Sequence, residues 1–424
     1  MPVFKFGGAS IKDVAAIKNV VQILRQYQQE QPLVVVSASG KITNALEKVV
    51  QAYVQQTGQA EVLLQGVRQH HLELLQGLFE NPQHPVYDQI NDLFVDVEWI
   101  LEEEPQDSYD YLYDQIVSLG ELLSTTILAA YLNEEGLPTH WLDVRDCILT
   151  DNSYRDAQVD WAETQSRIQK IVPALPQGQM VLTQGFLGSS SENFTTTLGR
   201  EGSDYTAAIF AFCLNADRLA IWKDVPGLLN ADPRIFDETV LLDNISYAEA
   251  IEMTYYGAQV IHPKTLRPLQ NKNIPLWVKS FVQPQERGSL VSSEEVDQYP
   301  PIFVVKKEQA LLKIKAKDFQ FVDEARFSAL FASFAKHRIK VNMTQNTALA
   351  FSVCINYEPQ KLGGLLEELA QAYMTELRSD LQLISLRHQT EEALNMLRQN
   401  KEILLEEHIG CTSQLLIAAE ALWS

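Results

Sequence analysis

Cysteine is sparse in this chain of 424 residues: Cys147, Cys213, Cys354 and Cys411 lie far apart, with no Cys-x-x-Cys and no Cys/His spacing that holds zinc tetrahedrally. The expectation is four reduced, mostly buried small hydrophobes, and neither a disulfide scaffold nor a structural zinc site. Positive charge is short as well, with 34 Lys+Arg against 55 Asp+Glu and a formal net charge of −21. Phosphate backbones and anionic membrane surfaces repel such a chain, and no basic stripe overrides the average, so neither nucleic acid nor membrane is expected as a partner. No run approaches ~18 uninterrupted apolar residues, and the opening Met1-Pro-Val-Phe-Lys-Phe6 has no basic stretch leading into an apolar core. A cytoplasmic protein is expected. Low-complexity tracts and short repeats are absent too. At 46% hydrophobic residues the chain has enough apolar material for two to three domains of roughly 150 residues each.

What is present alternates strand with helix. Residues 2–6 read as a strand, Gly7-Gly8 as a break, and Val14, Ile17, Val21 and Leu24 as one face of a helix. Leu33–Val36 is a continuous apolar run, as in a strand buried on both faces, and Leu46, Val49, Val50 and Tyr53 stripe a second helix. This order predicts an α/β layered domain with a mainly parallel sheet. Residues 60–135 read as helical, and 139–144, 181–187, 218–223 and 275–281 as further strands. Ser246-x-x-Glu249 is a capping box for a helix ending near Gly257. The polar stretch 283–301 holds three prolines and marks a linker, giving a first domain over 1–285, a linker over 286–304 and a second region over 305–424. In that region Leu311–Ile314, 339–343 and 349–355 are predicted strands. Helices are predicted over 323–338, carrying Phe327, Leu330, Phe331 and Phe334, and over 361–377. A weaker repeat has strand 382–386, helix 390–399 and strands 403–405 and 414–418. Two α+β ferredoxin-like units side by side, about 305–378 and 379–424, are the natural inference.

Three loops could carry chemistry. Lys5-Phe-Gly-Gly8 ends a strand at a helix start, where backbone N–H groups can cradle a phosphate; a simple tight turn explains the glycines equally well, and neither nucleotide-loop glycine pattern is matched. Thr195–Asp204 runs into an apolar helix at Gly202-Ser203-Asp204, so Ser203 or Asp204 is a helix cap or part of a site. Trp222-Lys-Asp224-Val-Pro-Gly227 to Asp232-Pro-Arg234 is a strand ending in a carboxylate and a long loop, the position where α/β sheets bind ligands and also where turns commonly place Asp.

Taken in order, these loops resemble the aspartokinases of the amino acid kinase superfamily. Lys5-Phe-Gly-Gly-Ala-Ser10, Ser37-Ala-Ser-Gly-Lys-Ile-Thr43-Asn44, Ser118-Leu-Gly-Glu121, Thr183-Gln-Gly-Phe186 with Thr195–Asp204, Trp222–Arg234 and Tyr256-Gly-Ala-Gln-Val-Ile-His262-Pro263 are similar to six motifs of that family. The resemblance implies a three-layer amino acid kinase sandwich followed by ACT-like regulatory modules. It implies transfer of the γ-phosphoryl of ATP to L-aspartate, with Mg2+ carried by the nucleotide and no metal ligand from the protein. Lys5 and Asp204 would be catalytic. Ser37, Ala38, Thr43, Glu121, Phe186 and Arg200 would bind aspartate, with Glu121 on the ammonium group and Arg200 on a carboxylate. Lys5, Gly7, Gly8, Ser203, Asp204, Lys223, Asp224, Leu229, Arg234 and Gln259 would bind ATP. Ala9, Glu201 and Gln259 depart from the pattern; Glu201 is expected to point outward, and Gln259 removes a cation beside the nucleotide. His262-Pro263 reads as structural and His70-His71 as a solvated helix face.

The C-terminal region would pair chains into a homodimer or homotetramer, since 349–355 reads as an edge strand that needs a partner. By resemblance it would sense L-lysine or L-threonine, at the turn Lys317–Asp323 or at Asn342–Asn346, while Arg387-His388-Gln389-Thr390 offers the second unit no such turn. Two other readings stay open: an amino acid kinase acting on glutamate, acetylglutamate, carbamate or UMP, and a weakly catalytic amino-acid sensor.

Overall fold

The structure is a computed structural model and describes residues 1–258, 261–317, 323–399 and 401–419. Its residues form two compact units. The first comprises Met1–Leu228, Leu241–Thr254 and Gln259–Val296. The second comprises Leu229–Val240, Tyr255–Ala258 and Asp297–Ser424.

In the first unit the strands are β1 (Val3–Phe6), β2 (Leu33–Val36), β3 (Thr139–Leu142), β4 (Met180–Gln184), β5 (Leu187–Ser189), β6 (Thr195–Thr197), β7 (Leu219–Lys223), β8 (Asn244–Ser246), β9 (Leu276–Ser280) and β10 (Ser289–Ser292). Eight of them form one sheet in the order β3-β4-β2-β1-β7-β9-β10-β8, while β5 and β6 make a separate hairpin. Within the large sheet only β9–β10 is antiparallel. The strand predicted over 181–187 is two, because Phe186 takes a left-handed φ of 70° and breaks it at Gly185-Phe186. The stretch 286–304 is not a plain linker: β10 closes the sheet against β8 and β9, and the next long strand begins at Ile302.

The helices are α1 (Val14–Gln26), α2 (Ile42–Val54), α3 (Ala60–Leu78), α4 (Val86–Glu102), α5 (Tyr109–Val117), α6 (Leu119–Glu134), α7 (Trp161–Ile171), α8 (Gly202–Leu214), α9 (Tyr247–Tyr256) and α10 (Pro263–Asn271). Strand alternation sorts the two faces of the sheet. Phe4, Phe6, Val34, Val36 and Leu182 join Ile17, Leu46, Leu75, Phe94 and Leu123 in one buried cluster on the side of α1–α6. Lys5 therefore points to the opposite face, where α8 lies against β1, β2 and β7. Tyr109–Glu134 is apolar enough to cross a membrane by length and composition, yet 83% of its most apolar stretch is buried inside this unit, as a core helix pair is. The Ser246 cap is present, its Oγ accepting from Glu249 N at 3.1 Å.

The second unit carries β11 (Ile302–Ala316), α11 (Glu324–Lys336), β12 (Val341–Asn346), β13 (Ala350–Asn356), α12 (Pro359–Leu369), β14 (Tyr373–Arg387), α13 (Glu391–Arg398), β15 (Ile403–Ile409) and β16 (Thr412–Ala418). Its strands form one continuous antiparallel sheet, β12-β13-β11-β14-β16-β15. The boundary expected at 378/379 falls inside β14, whose pairing with β11 runs from Ile302↔Arg387 to Ala316↔Tyr373. Residues 373–377, expected to be helical, are strand for that reason: β11 offers 15 residues of backbone to pair with. The strand expected at an edge, 349–355, is interior, between β12 and β11, and Asn342–Asn346 is itself the edge strand β12. Residues 318–322 of the expected effector turn lie outside the described residues.

Candidate active site

Lys5 is the last residue but one of β1, which has β2 on one side and β7 on the other. A crevice opens outside the carboxyl ends of parallel strands where the chain diverges in this way. The loops after β1, β2 and β7 and the N-terminus of α8 meet there. Lys5 is 8% exposed, and its ammonium lies 2.7 Å from Asp204 Oδ1. Asp204, 2% exposed in the first turn of α8, also meets Lys223 Nζ at 3.5 Å through Oδ2. Burial pushes the Asp204 carboxyl up, but Lys5 and then Lys223 outweigh it and hold the group below its ordinary value. The aspartate is thus no side-chain cap for α8; it is a buried anion between two cations.

The loop after β2 approaches closely. A Cβ on Gly8 would stand 2.7 Å from the Ala38 carbonyl oxygen, and one on Gly120 would stand 2.9 Å from Ala38 Cβ. Glycine at both positions lets the loop at 37–40, the turn after β1 and the start of α6 converge. Ala38 N donates to Glu121 Oε1 at 3.2 Å, while Glu121 Oε2 is buried and accepts no hydrogen bond from the described residues. Glu121 is 2% exposed; desolvation drives its carboxyl up to about 8, against the opposing pull of backbone N–H groups and Lys5. An unsatisfied buried carboxylate oxygen needs a donor to be stable as an anion. Ser37 is half-buried and its carbonyl accepts from Ser124 Oγ at 2.8 Å. Thr43 is half-buried on α2. Phe186 lies with its ring against Gly202, where a Cβ would meet Cδ2 at 2.7 Å, and its N–H donates to Thr206 Oγ1 at 2.9 Å.

The structure therefore brings together Lys5, Gly7, Gly8, Ala38, Glu121, Phe186, Ser203, Asp204 and Lys223. Arg200 and Asp224 are exposed. Leu229 and Arg234 belong to the second unit, where Arg234 is exposed and pairs with Asp232 at 2.8 Å. Gln259 lies outside the described residues. His262 caps α10, its Nδ1 accepting from Lys264 N at 3.2 Å, which is the structural role expected of it.

Two expectations are overturned. The histidine pair is no solvated face: His71 is fully buried with Nδ1 on Val67 O at 2.8 Å, burial pushes it down to about 4, and His70 Nε2 meets Ser39 Oγ at 3.1 Å. Their place on the inner side of α3 explains this, since α2 packs along it. Glu201 does not point outward either, because its Oε2 is buried. A third residue had no signal in its local sequence. Asp114 on α5 is fully buried and accepts from Thr197 N at 2.8 Å, Thr197 Oγ1 at 2.7 Å and Arg155 N at 3.1 Å. It anchors the strand that leads into Arg200.

Residues 1–280 match the amino acid kinase family. Lysine-sensitive aspartokinase 3 of Escherichia coli is 32% identical over 397 residues, spanning 91% of this chain and 86% of that protein. The chain belongs to the amino acid kinase family, among the aspartokinases. Structures of E. coli aspartokinase III resemble it throughout. The R-state complex with aspartate and ADP has a TM-score of 0.85 at 29% identity, covering 99% of this chain and 96% of that one. The T-state complex with lysine and aspartate has a TM-score of 0.82 at 29% identity, covering 100% and 97%. The aspartate kinase of Clostridium acetobutylicum, at 22% identity and a TM-score of 0.79, shares the fold. The aspartokinase likeness thus extends over both units, the antiparallel six-stranded sheet included.

Proposed function

We propose that the chain transfers the γ-phosphoryl group of ATP to the side-chain carboxylate of L-aspartate, giving 4-phospho-L-aspartate and ADP, the first step toward lysine, threonine and methionine. The observation that carries this reading is the Lys5–Asp204–Lys223 cluster beside Glu121, whose second oxygen is buried with no donor among the described residues. That oxygen is suited to the substrate ammonium, which restores its missing hydrogen bond. Aspartokinase III holding aspartate with ADP supports the same pair of ligands.

An aspartate carboxylate oxygen attacks Pγ, the bond from Pγ to the β,γ-bridging oxygen breaks, and ADP leaves with the electron pair. Both reactants are anions, so the site works by positioning and by cancelling charge. Lys5 bridges the transferring phosphoryl, Gly7 and Gly8 offer N–H groups, and Asp204 orients Lys5. Ser203, at the start of α8, faces the phosphates. Arg200 takes an aspartate carboxylate with its planar fork, and Ser37, Ala38, Thr43 and Phe186 line the pocket. Lys223 and Asp224 lie along the nucleotide. A divalent ion, Mg2+, would arrive as part of the nucleotide. Bound with the nucleotide, that ion would offset phosphate charge, while Lys5 and Lys223 are the cations that this chain supplies.

The enzyme acts in the cytoplasm as a homo-oligomer joined through residues 305–424, with lysine or threonine as feedback inhibitor; a lysine-bound relative supports the first of these. A coupled ADP-release assay with L-aspartate, L-glutamate or no acceptor tests the reaction. Turnover is expected with L-aspartate alone. Equal rates with glutamate would reassign the substrate, and no acceptor-dependent rate would leave a sensor.

A further inference from the structure

The face of the large sheet turned away from Lys5 and Lys223 carries a cavity that the reaction does not use. Successive residues of a strand point to opposite faces, so Phe4 and Trp222 lie on the far side from the crevice that Lys5 and Lys223 enter. The register sets Phe4 of β1 beside Ala220 of β7, and Ala220 beside Trp277 of β9. A methyl group between two large rings leaves a hollow of about 150 Å3. Tyr27, just past the end of α1, forms another wall, its ring centroid 4.9 Å from that of Phe4 and 6.2 Å from that of Trp222.

Cations rim this hollow. Lys279 neighbours Trp222 in the register, and its Nζ stands 5.5 Å from the Trp222 ring centroid. Gly288, with φ 74°, turns the chain into β10, and the Arg287 guanidinium lies 5.7 Å from the Trp277 centroid. The Arg218 guanidinium is 5.8 Å from the Phe4 centroid; it pairs with Glu30 at 2.6 Å and lies in the field of Asp217, which itself holds the N-terminal ammonium. Among the described residues neither Lys279 nor Arg287 forms an ion pair, and Arg287 donates to Asn244 Oδ1 at 3.3 Å. Burial, and then the Arg218 charge, hold the Lys279 ammonium below its ordinary value, in keeping with a cation that has no counter-ion. Trp222 adds a buried indole N–H with no acceptor among the described residues.

We propose that this cavity is a second ligand site, one for a single-ring aromatic carboxylate. A hollow of about 150 Å3 takes one benzene-sized body and is too small for a nucleotide. Tyr27, Trp222 and Trp277 offer ring edges and faces to such a body. In a chain of net charge −21 an anion is held only where local cations outweigh the rest, and Lys279 and Arg287 provide that, the planar fork of Arg287 matching a carboxylate. A free amino acid fits worse, because its ammonium meets the same cations. The site is independent of what the crevice on the other face binds.

Titration of the full chain with benzoate at fixed ionic strength, followed by tryptophan fluorescence and calorimetry, tests this. Benzoate is expected to saturate a single site. Benzamide, inorganic phosphate and L-phenylalanine are each expected to bind roughly tenfold more weakly or worse, since they lack the charge, lack the ring or add a repelled ammonium. Lys279→Gln combined with Arg287→Gln should weaken benzoate roughly tenfold or more and leave binding of the Mg2+ complex of a non-hydrolysable ATP analogue unchanged. Ala220→Leu fills the hollow and should abolish benzoate binding; if that variant does not fold, the charge variant decides. No saturable benzoate binding overturns the proposal. Equal binding of benzamide leaves an apolar hollow, equal binding of phosphate leaves a patch of surface cations, and either result overturns it too. Benzoate binding that survives the double substitution, or that L-aspartate or the ATP analogue displaces, places benzoate elsewhere and refutes the site.

Discussion

A carboxylate that is to grip an ammonium group has to be kept dry, and Glu121 bears the energetic cost. Its folded value of about 8 lies above that of an unfolded glutamate, so between roughly pH 4.3 and pH 8 the folded state binds more protons than the unfolded one. Stability from this group is greatest at low pH and falls as the pH rises through that window. Glu121→Gln is expected to unfold at higher denaturant than the parent, by about 1–3 kcal/mol at pH 8 and by progressively less toward pH 5, because the amide oxygen still accepts from Ala38 N without a charge. The same change should raise the aspartate KM steeply. Denaturant titrations at both pH values, with aspartate saturation curves, check the pair of outcomes. Lys5 is the opposite case. A strand-end lysine in a loop packs little, but this one is buried against Asp204. Lys5→Ala should therefore lower kcat by ~10²-fold or more and also lower stability by up to roughly 3–5 kcal/mol, seen in steady-state rates and chemical denaturation.

Between elements, the geometry of the site depends on anchors remote in sequence. Asp114 ties α5 to Thr197 on β6 and to the backbone of Arg155. Desolvation pushes its carboxyl up to about 6, against the hydrogen bonds from Thr197 and Arg155. Asp114→Asn sets an amide donor against backbone and hydroxyl donors. It is expected to cost about 1–3 kcal/mol of stability and to raise the aspartate KM roughly tenfold with a smaller change in the ATP KM, since Arg200 lies on the loop that leaves β6. Saturation kinetics in both substrates check the split. The helix Leu119–Glu134 was legible as apolar sequence, as were the strand–glycine–helix unit at the N-terminus and the Ser246 cap. Periodicity could not foresee the break at Gly185-Phe186, because a left-handed phenylalanine is imposed by packing against Gly202 and the bond to Thr206.

At the scale of the whole chain, two short segments of the kinase-like sequence belong to the second compact unit. Asn230 Oδ1 accepts from Val240 N at 2.7 Å, its Nδ2 donates to Pro301 O at 2.9 Å, and Phe303 N donates to Asn230 O at 2.7 Å. Tyr255 O accepts from Lys306 Nζ at 3.3 Å, and the Arg387 guanidinium lies 5.7 Å from the Tyr256 ring centroid. The loop holding Leu229 and Arg234 is thus built onto β11. Calorimetry of the intact chain with L-lysine and with L-threonine is expected to detect one of them, and its saturation should weaken aspartate affinity 5–150-fold, a coupling of ~1–3 kcal/mol. Binding of neither would remove the regulatory reading.

The sequence by itself determined the opening strand–helix–strand–helix order of the first unit, the glycine turn after β1 and the identity of the charged groups, because turns, caps and alternation are local physics. Only the tertiary structure decided that Lys5 and Lys223 share Asp204, that one Glu121 oxygen is buried with no donor among the described residues, and that His71, Asp114 and the Glu201 carboxylate face inward. It also decided that the C-terminal strands form one sheet. Those outcomes depend on desolvation and on pairing between residues tens to hundreds of positions apart, and neither is written in any local stretch of the chain.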